Sequence, residues 1–256
     1  MPKLLAILSP SKKMATPEKL PDVTFSQPAF RKLTETLLRM IRQWGEDEIR
    51  NNMAVSATIA RETIAMHKSI HYPMEIPLAS AAILTFSGDV YRGLEAQTFS
   101  EKQLIHAHDC LRILSGMYGY LKPLELIQPY RMMMGTPIKE LEGKSTLSSF
   151  WKPHITKAIN AEINEKDILV NLASQEYSNA IDEHSIHASV VRCDFREIKN
   201  GKAVSVSTYA KIARGLMARY IILESPKNIA ALKKFNLYGY TYNEELSTEK
   251  TLMFTR

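Results

Sequence analysis

The sequence predicts a mixed α/β (α+β) fold: a single domain with a mixed central sheet surrounded by helices. Three observations lead there. Short apolar runs bounded by turn residues, at Lys3–Leu8 and Asp167–Leu172, have the length and composition of buried strands. Other stretches carry apolar residues at helical spacing, as in Phe30, Leu33, Leu37, Leu38 and Ile41. Strands and helices do not alternate regularly enough for a doubly wound sheet.

Taken in order, the first strand ends at Ser9-Pro10. Pro28 opens an amphipathic helix to about Gln43. Shorter helices follow at 46–52 and 55–70, the second ending near Pro73. Ala81–Phe86 reads as a strand and Ser87-Gly88 as a turn. Ser100, with Glu101 in the first turn, is the N-cap of a helix to about Leu111. A helix is expected over Leu121–Ile127 and another over Leu147–Ile163. After the Asp167–Leu172 strand, Ser174 caps a short helix. Residues 188–199 and 202–206 form a β-hairpin, because Asn200-Gly201 supplies two positions that tolerate positive φ. A helix covers Ser207–Glu224, another follows Pro226, and strands near 237–242 and 251–255 complete the pattern. No repeat or low-complexity linker divides the 256 residues, so one domain over 1–256 is expected.

Hydrophobic residues make up 45%, enough for a substantial core, and the formal net charge of +6 favours polyanionic partners. Cys110 and Cys193 lie far apart with no C-x-x-C, which argues against a disulfide scaffold and fits a reducing cytosol. The Leu4–Leu8 run is too short for a signal-peptide core. The longest apolar stretch, Ile76–Phe86, falls well short of the ~20 residues a membrane span needs. A cytoplasmic protein with no membrane partner is expected.

Five segments carry chemistry. In Ser207–Tyr220, Tyr209, Ile212, Ala213, Leu216, Tyr220 and Leu223 form the core-facing stripe, and Lys211 and Arg214 share a neighbouring face. Asn200–Arg219 holds four basic residues and no acid. Gly215, costly inside a helix, suggests close approach of another backbone or a ligand. This face is either an anion site or a solvated basic surface. In Leu111–Gly135, Gly116 and Gly119 lie between two expected helices, the layout of a helix-hairpin-helix element at about 101–127. There the glycines let backbone N–H groups approach a DNA phosphate, with Lys122 and Arg131 supplying charge. The alternative is an ordinary αα turn, with Met132 to Met134 as core filler.

In Phe86–Leu94 a strand meets a Ser-Gly turn, placing Asp89, Tyr91 and Arg92 at a helix start, where Asp89 is either a helix cap or a catalytic group. No P-loop pattern is present. In Asn171–Tyr177 a strand meets a polar turn, so Asn171, Ser174 and Tyr177 can point into one cleft, with Ser174 as N-cap the plainer reading. No G-x-S-x-G elbow supports a nucleophile. Ser9–Met14 places Lys12 and Lys13 at the carboxyl end of the first strand. The histidine pairs His67/His71, His106/His108 and His184/His187 lack H-E-x-x-H or cysteine company. They read as surface residues, with no metal site and no cofactor expected.

In order and spacing, SPSKKM, FSGDVYRGL, LRILSGMYGYLKPLELIQPYRMMMG, NLASQEY, YAKIARGLMARYII and the closing FNLYGYTYN…TLMFTR resemble the peroxide-stress YaaA family, formerly the uncharacterised UPF0246 family. The resemblance spans Leu4 to Arg256. It implies a role in surviving hydrogen peroxide by limiting unincorporated iron and Fenton damage. It also implies a fold of unusual topology with a basic cleft, a helix-hairpin-helix element and binding to duplex and branched DNA. Gly116 and Gly119 match the glycine hairpin, and Lys12, Arg92, Arg131, Lys211 and Arg214 match basic motif positions. Two departures stand out. Met133 replaces an acid of the family pattern, and Lys13 replaces a small residue.

Two functions follow. One is a DNA-binding stress protein contacting phosphates through Lys12, Arg92, Gly116, Gly119, Lys122, Arg131, Lys211 and Arg214. The other is an enzyme acting on a phosphorylated or nucleotide-like small molecule, with Lys12, Asp89, Tyr91, Asn171, Ser174 and Tyr177 as candidate catalytic groups. Direct iron binding by the scattered histidines is a third and weaker reading.

Overall fold

The computed structural model describes residues 2–138, 141 and 143–256. One eight-stranded sheet organises the chain. Across it lie Thr241–Tyr242, Thr251–Thr255, Ser189–Lys199, Ile168–Asn171, Leu4–Leu8, Leu111–Ser115 and Gly119–Leu121, with Lys202–Val204 added onto Ser189–Lys199. The five strands from Thr251–Thr255 to Leu111–Ser115 run parallel, and antiparallel strands flank them. Leu4–Leu8 lies near the middle, with Leu4 opposite Ile168 and Ala6 opposite Leu111. All five of its residues are buried, as its unbroken apolar composition requires of a strand covered on both faces.

Several sequence readings hold closely. The helix over Ser207–Glu224 and the strand Ser189–Lys199 are present. Asn200 and Gly201 take φ of 51° and 73° in the hairpin turn. Ser100 opens the Glu101–Cys110 helix through a reciprocal capping box: its N–H donates to Gln103 Oε1 at 2.8 Å.

The Ser207–Glu224 helix packs on Leu4–Leu8 and Ser189–Lys199, and the helices Asp89–Leu94 and Glu101–Cys110 pack on it in turn. Its buried face is Ala210, Ala213, Met217, Ala218, Ile221 and Ile222. The predicted stripe is therefore rotated, and Tyr209 and Leu223 are exposed. The helical period was right, but the closest face carries the smallest side chains. A Cβ on Gly215 would lie 1.8 Å from Val90 O, and one on Gly93 would lie 2.1 Å from Ile212 O. The glycine in the helix thus serves backbone-to-backbone approach of two helices, not a ligand.

Ala81–Phe86 is not a strand. Ser80–Ala81 pairs with Leu126–Ile127 and Phe86–Ser87 pairs with Lys13–Met14. Between them Ala82–Thr85 makes one helical turn, as the run changes partners. The expected strand near 237–242 is reduced to Thr241–Tyr242.

The largest correction concerns Leu111–Ile127. The helix Glu101–Cys110 leads directly into the strand Leu111–Ser115, which turns back as Gly119–Leu121, and Leu126–Ile127 is again a strand. The two glycines therefore sit in a β-hairpin within the core, and no helix-hairpin-helix element forms there. Ser115, Met117 and Tyr118 are fully buried. A Cβ on Gly116 would lie 2.4 Å from Met132 O, and Gly119, at φ +71°, meets the Trp151 ring. Among the described residues no helix is long and apolar enough to cross a membrane.

Candidate functional site

The cleft forms where parallel strands end. Leu4–Leu8 and the adjacent Ile168–Asn171 both finish at one edge, and the chain leaves them as the Ser9–Lys13 and Leu172–Tyr177 loops. Outside the carboxyl ends of parallel strands is where open α/β sheets bind ligands. The two loops are joined by serines: Ser174 N–H donates to Ser9 Oγ at 2.9 Å, and Ser9 Oγ–H donates to Ser174 Oγ at 3.3 Å. Ser174 takes the N-cap position of Gln175–Ser178, yet its side chain makes no capping bond and is turned to Ser9 instead. A third loop closes in through Lys13, opposite Ser87, and Gly88, whose φ of +112° is one that side chains rarely adopt and which faces Ser11. The fourth wall is the Ser207–Glu224 helix, which supplies Lys211 and Arg214.

These elements enclose a cavity of about 570 Å³. Among the predicted residues it gathers Lys12, Asp89, Ser174, Tyr177, Lys211 and Arg214. Met133 and Lys13 are also on its wall. The charges are unevenly matched. Asp89 is held by Arg92 at 3.3 Å, and Glu176 accepts the Gly135 N–H at 3.1 Å. Arg214 Nε is buried without a hydrogen-bond partner among the described residues. Burial lowers the Arg214 pKa, and the nearby Asp194 carboxylate acts in the opposite sense. A guanidinium remains charged under these conditions. The cavity is therefore cationic where it is least hydrated. Burial pushes the Tyr177 phenol well above its ordinary pKa, so it is protonated near neutral pH and can act as a donor.

Other predicted residues lie elsewhere. Asn171 lines an adjoining cavity, where its amide donates to Ser178 Oγ and Glu183 Oε1. Tyr91 is buried beneath the cleft, its hydroxyl donating to Ser9 O at 3.2 Å. It supports the Ser9 loop, and burial holds its phenol well above the ordinary value. Asp89 is the first residue of its helix, and the N-cap is Gly88, so it forms an ion pair instead of a cap. Arg92 is exposed beside it. Gly116 and Gly119 lie in the core. Lys122 flanks the buried Glu125, and the Arg131 carbonyl accepts from His67 Nε2 at 3.0 Å. His67 is buried, contrary to the surface placement expected for the histidines. Among the described residues no group of three or more His, Cys, Asp or Glu is placed to hold a metal ion.

Sequence reading missed Pro10, Val90, Leu172 and Gln175 as lining residues. Each neighbours a motif residue, and that adjacency was the available signal. It also missed Ser9 as the stitch between two loops, which no local pattern reveals.

Fold and cleft together define an α/β protein with a cationic cavity at the carboxyl ends of its parallel strands. The chain belongs to the peroxide stress protein YaaA family, whose family model matches residues 4–246. Two relatives that carry the name UPF0246 protein show the same extent. Those of Francisella tularensis subsp. novicida and Francisella philomiragia subsp. philomiragia are each 41% identical over 256 residues, covering 99% of this chain and all of the relative. An oxidative-stress role follows from that membership.

Proposed function

We propose that this peroxide-stress protein works by binding a phosphate-bearing molecule in the strand-end cavity, with Lys12, Lys211 and Arg214 as the anion contacts. The observation that carries the reading is Arg214, whose buried Nε lacks an acceptor among the described residues, beside a cavity also lined by Lys12 and Lys211. A buried donor left without a partner costs about 1–3 kcal/mol, and a ligand oxygen would supply the missing acceptor. A volume of about 570 Å³ lies in the range of small-molecule sites. That size favours a phosphorylated or nucleotide-like small molecule. Ser174 and Tyr177 would orient it, and Asp89 is the group placed for proton transfer if the ligand reacts.

A second reading is DNA bound through its phosphates. Lys12, Lys13, Arg92 and Lys211 are exposed around the mouth of the cleft, and the chain carries a formal charge of +6. In this reading Gly116, Gly119, Lys122 and Arg131 take no part, because they lie away from the cavity. Limitation of free iron, which the family likeness implies, enters the proposal as a consequence of ligand binding.

Thermal-shift and calorimetric screens with nucleotides test the first reading, and duplex and four-way-junction binding across a salt series tests the second. A nucleotide should stabilise the protein, and Lys211→Glu with Arg214→Glu should abolish the effect. If duplex and junction bind at low salt while no nucleotide does, the second reading replaces the first. If neither class binds, or if the double variant binds as well as the wild type, the cavity is not an anion site. Anaerobic Fe(II) titration should show no tight stoichiometric binding, and a saturable site would place iron on the protein itself.

A further inference from the structure

The cavity continues beyond Arg214. A second cavity of about 330 Å³ lies beside the first, and Arg214 and Gln175 line both. The two differ in chemistry. The larger has an apolar wall of Val90, Met133 and Leu172 with the Tyr177 ring, and its lysines Lys12 and Lys211 are exposed. The smaller is lined by Arg192, Arg196 and Arg214 against a single acid, Asp194. Two of these arginines are already oriented. Arg192 donates to Glu183 Oε2 at 2.8 Å, and Arg196 donates through Nε and Nη2 to Asp194 Oδ2 at 2.9 and 2.6 Å. Each guanidinium has five N–H donors in a fixed fork, so these bonds orient the groups and leave donors unspent. Cys193 adds no negative charge here, since burial pushes its thiol up to about 12. Three arginines around a small polar space suit a compact polyanion. The larger lobe has room for an organic group with an apolar face.

We propose that the two lobes form one bipartite site for a nucleoside polyphosphate, with the nucleoside against the Val90, Met133 and Leu172 wall and the terminal phosphates among Arg192, Arg196 and Arg214. Arg214 sits at the junction and would contact the phosphate that links the two parts. This assignment rests on the reading of the larger cavity as a phosphate site.

Calorimetric titration of the full chain with the four common ribonucleotides, each as mono- and triphosphate, tests it. At least one triphosphate should bind roughly tenfold tighter than its monophosphate, through the added charge-assisted hydrogen bonds. Because a triphosphate also gains from net charge alone, the decisive variant is neutral. Ser205 is exposed and lines the smaller lobe, so Ser205→Trp fills that lobe without entering the core. It should bring the triphosphate down to the affinity of the monophosphate and leave the monophosphate unchanged, with an unaltered melting temperature. Arg196→Gln should reduce the preference in the same direction, and Arg214→Ala should weaken both ligands. Equal binding of mono- and triphosphates by the wild type, or a preference that survives Ser205→Trp, overturns the bipartite site while leaving the larger cavity as an anion site. No binding of any nucleotide overturns the small-molecule reading of the larger cavity, and the bipartite site with it.

Discussion

Two regions of this molecule look alike in sequence and behave oppositely in the fold. Ser115–Gly119 and Phe86–Asp89 each carry glycine and serine beside aromatic residues at the end of an apolar run. In the first, nearby groups meet the polar atoms. Tyr118 N–H donates to Ser115 Oγ at 2.9 Å, the Gly116 carbonyl accepts from Trp151 Nε1 at 2.9 Å, and Tyr130 shares a hydroxyl bond with Ser115 at 2.8 Å. In the second, Gly88 turns the chain beside an open cavity in which Arg214 Nε has no acceptor among the described residues. The sealed turn has its hydrogen-bonding capacity spent within the core, and the open one borders the cavity proposed above as an anion site.

The largest effect expected from this contrast is at Trp151, fully buried and stacked 5.7 Å from Phe30. Trp151→Ala removes the ring that seals Gly119 and strands the Gly116 carbonyl. It should cost about 3–5 kcal/mol in chemical denaturation. A loss below about 1 kcal/mol would mean that the hairpin is not sealed and would reopen it as a surface.

Arg214→Ala should do the reverse. Anion affinity should fall by about 1.5–3 kcal/mol, the scale of a hydrogen bond to a charged group, which is tenfold or more. Stability should hold or rise, because the variant removes a buried donor with no acceptor among the described residues. Marked destabilisation with unchanged binding would assign Arg214 to the core instead.

The period-2 and period-3.6 patterns made most elements legible, because burial of one face imposes them on the residues themselves. Ser189–Lys199 and Ser207–Glu224 are readable for that reason, and Leu4–Leu8 by its unbroken apolar run between turn residues. Of the polar residues expected at the strand ends, Lys12, Asp89, Ser174, Tyr177 and Lys211 line the cavity, whereas Tyr91 and Asn171 do not. What could not be read depends on partners remote in sequence. Ala81–Phe86 splits because its ends pair with Met14 and Leu126, and Leu111–Ser115 is strand because it pairs with Leu4–Leu8, far away in sequence. Asn171 was placed at the correct strand end, but its amide is engaged by Ser178 and Glu183, which put it in the neighbouring lobe. Tyr209 reads as a core residue from its helical spacing, whereas the core face of that helix is chosen by closeness to Val90 and Leu94.

Elsewhere in the buried interior, two ionisable groups, Glu125 and His67, oppose each other. Burial raises Glu125 from 4.5 to about 7, despite the Lys122 N–H and charge that act against it. Burial lowers His67 from 6.5 to about 4, assisted by Arg42 and opposed by its bond to Arg131. Between pH 4.5 and 6.5 the folded state keeps a proton on Glu125 that the unfolded chain has released, so this group makes stability fall as pH rises. In the same window the unfolded chain protonates His67 and the folded state does not, so this group makes stability rise with pH. The two nearly offset in the wild type. Glu125→Gln should leave the His67 arm alone, so that stability increases by on the order of 2 kcal/mol from pH 4.5 to 6.5 in urea denaturation. An unchanged profile would show that Glu125 is solvated, against its burial.

The smallest effect is at the mouth of the cleft. Asp89 and Arg92 pair at 3.3 Å with side chains 30% and 62% exposed, and such a pair contributes about 0–1 kcal/mol. Asp89 also sits in the first turn of its helix, where a carboxylate gains a few tenths of a kcal/mol from the dipole. Asp89→Asn should therefore lower stability by less than about 1 kcal/mol. Its effect on anion binding is the sharper measurement. If Asp89 only balances charge, removing it leaves Arg92 free and the cavity more cationic, and a nucleotide should bind slightly tighter and with a steeper salt dependence. If Asp89 accepts a hydrogen bond from the ligand or moves its proton, affinity or turnover should drop, although the cavity has become more positive. The direction of that change separates an electrostatic rim from a residue that touches the ligand.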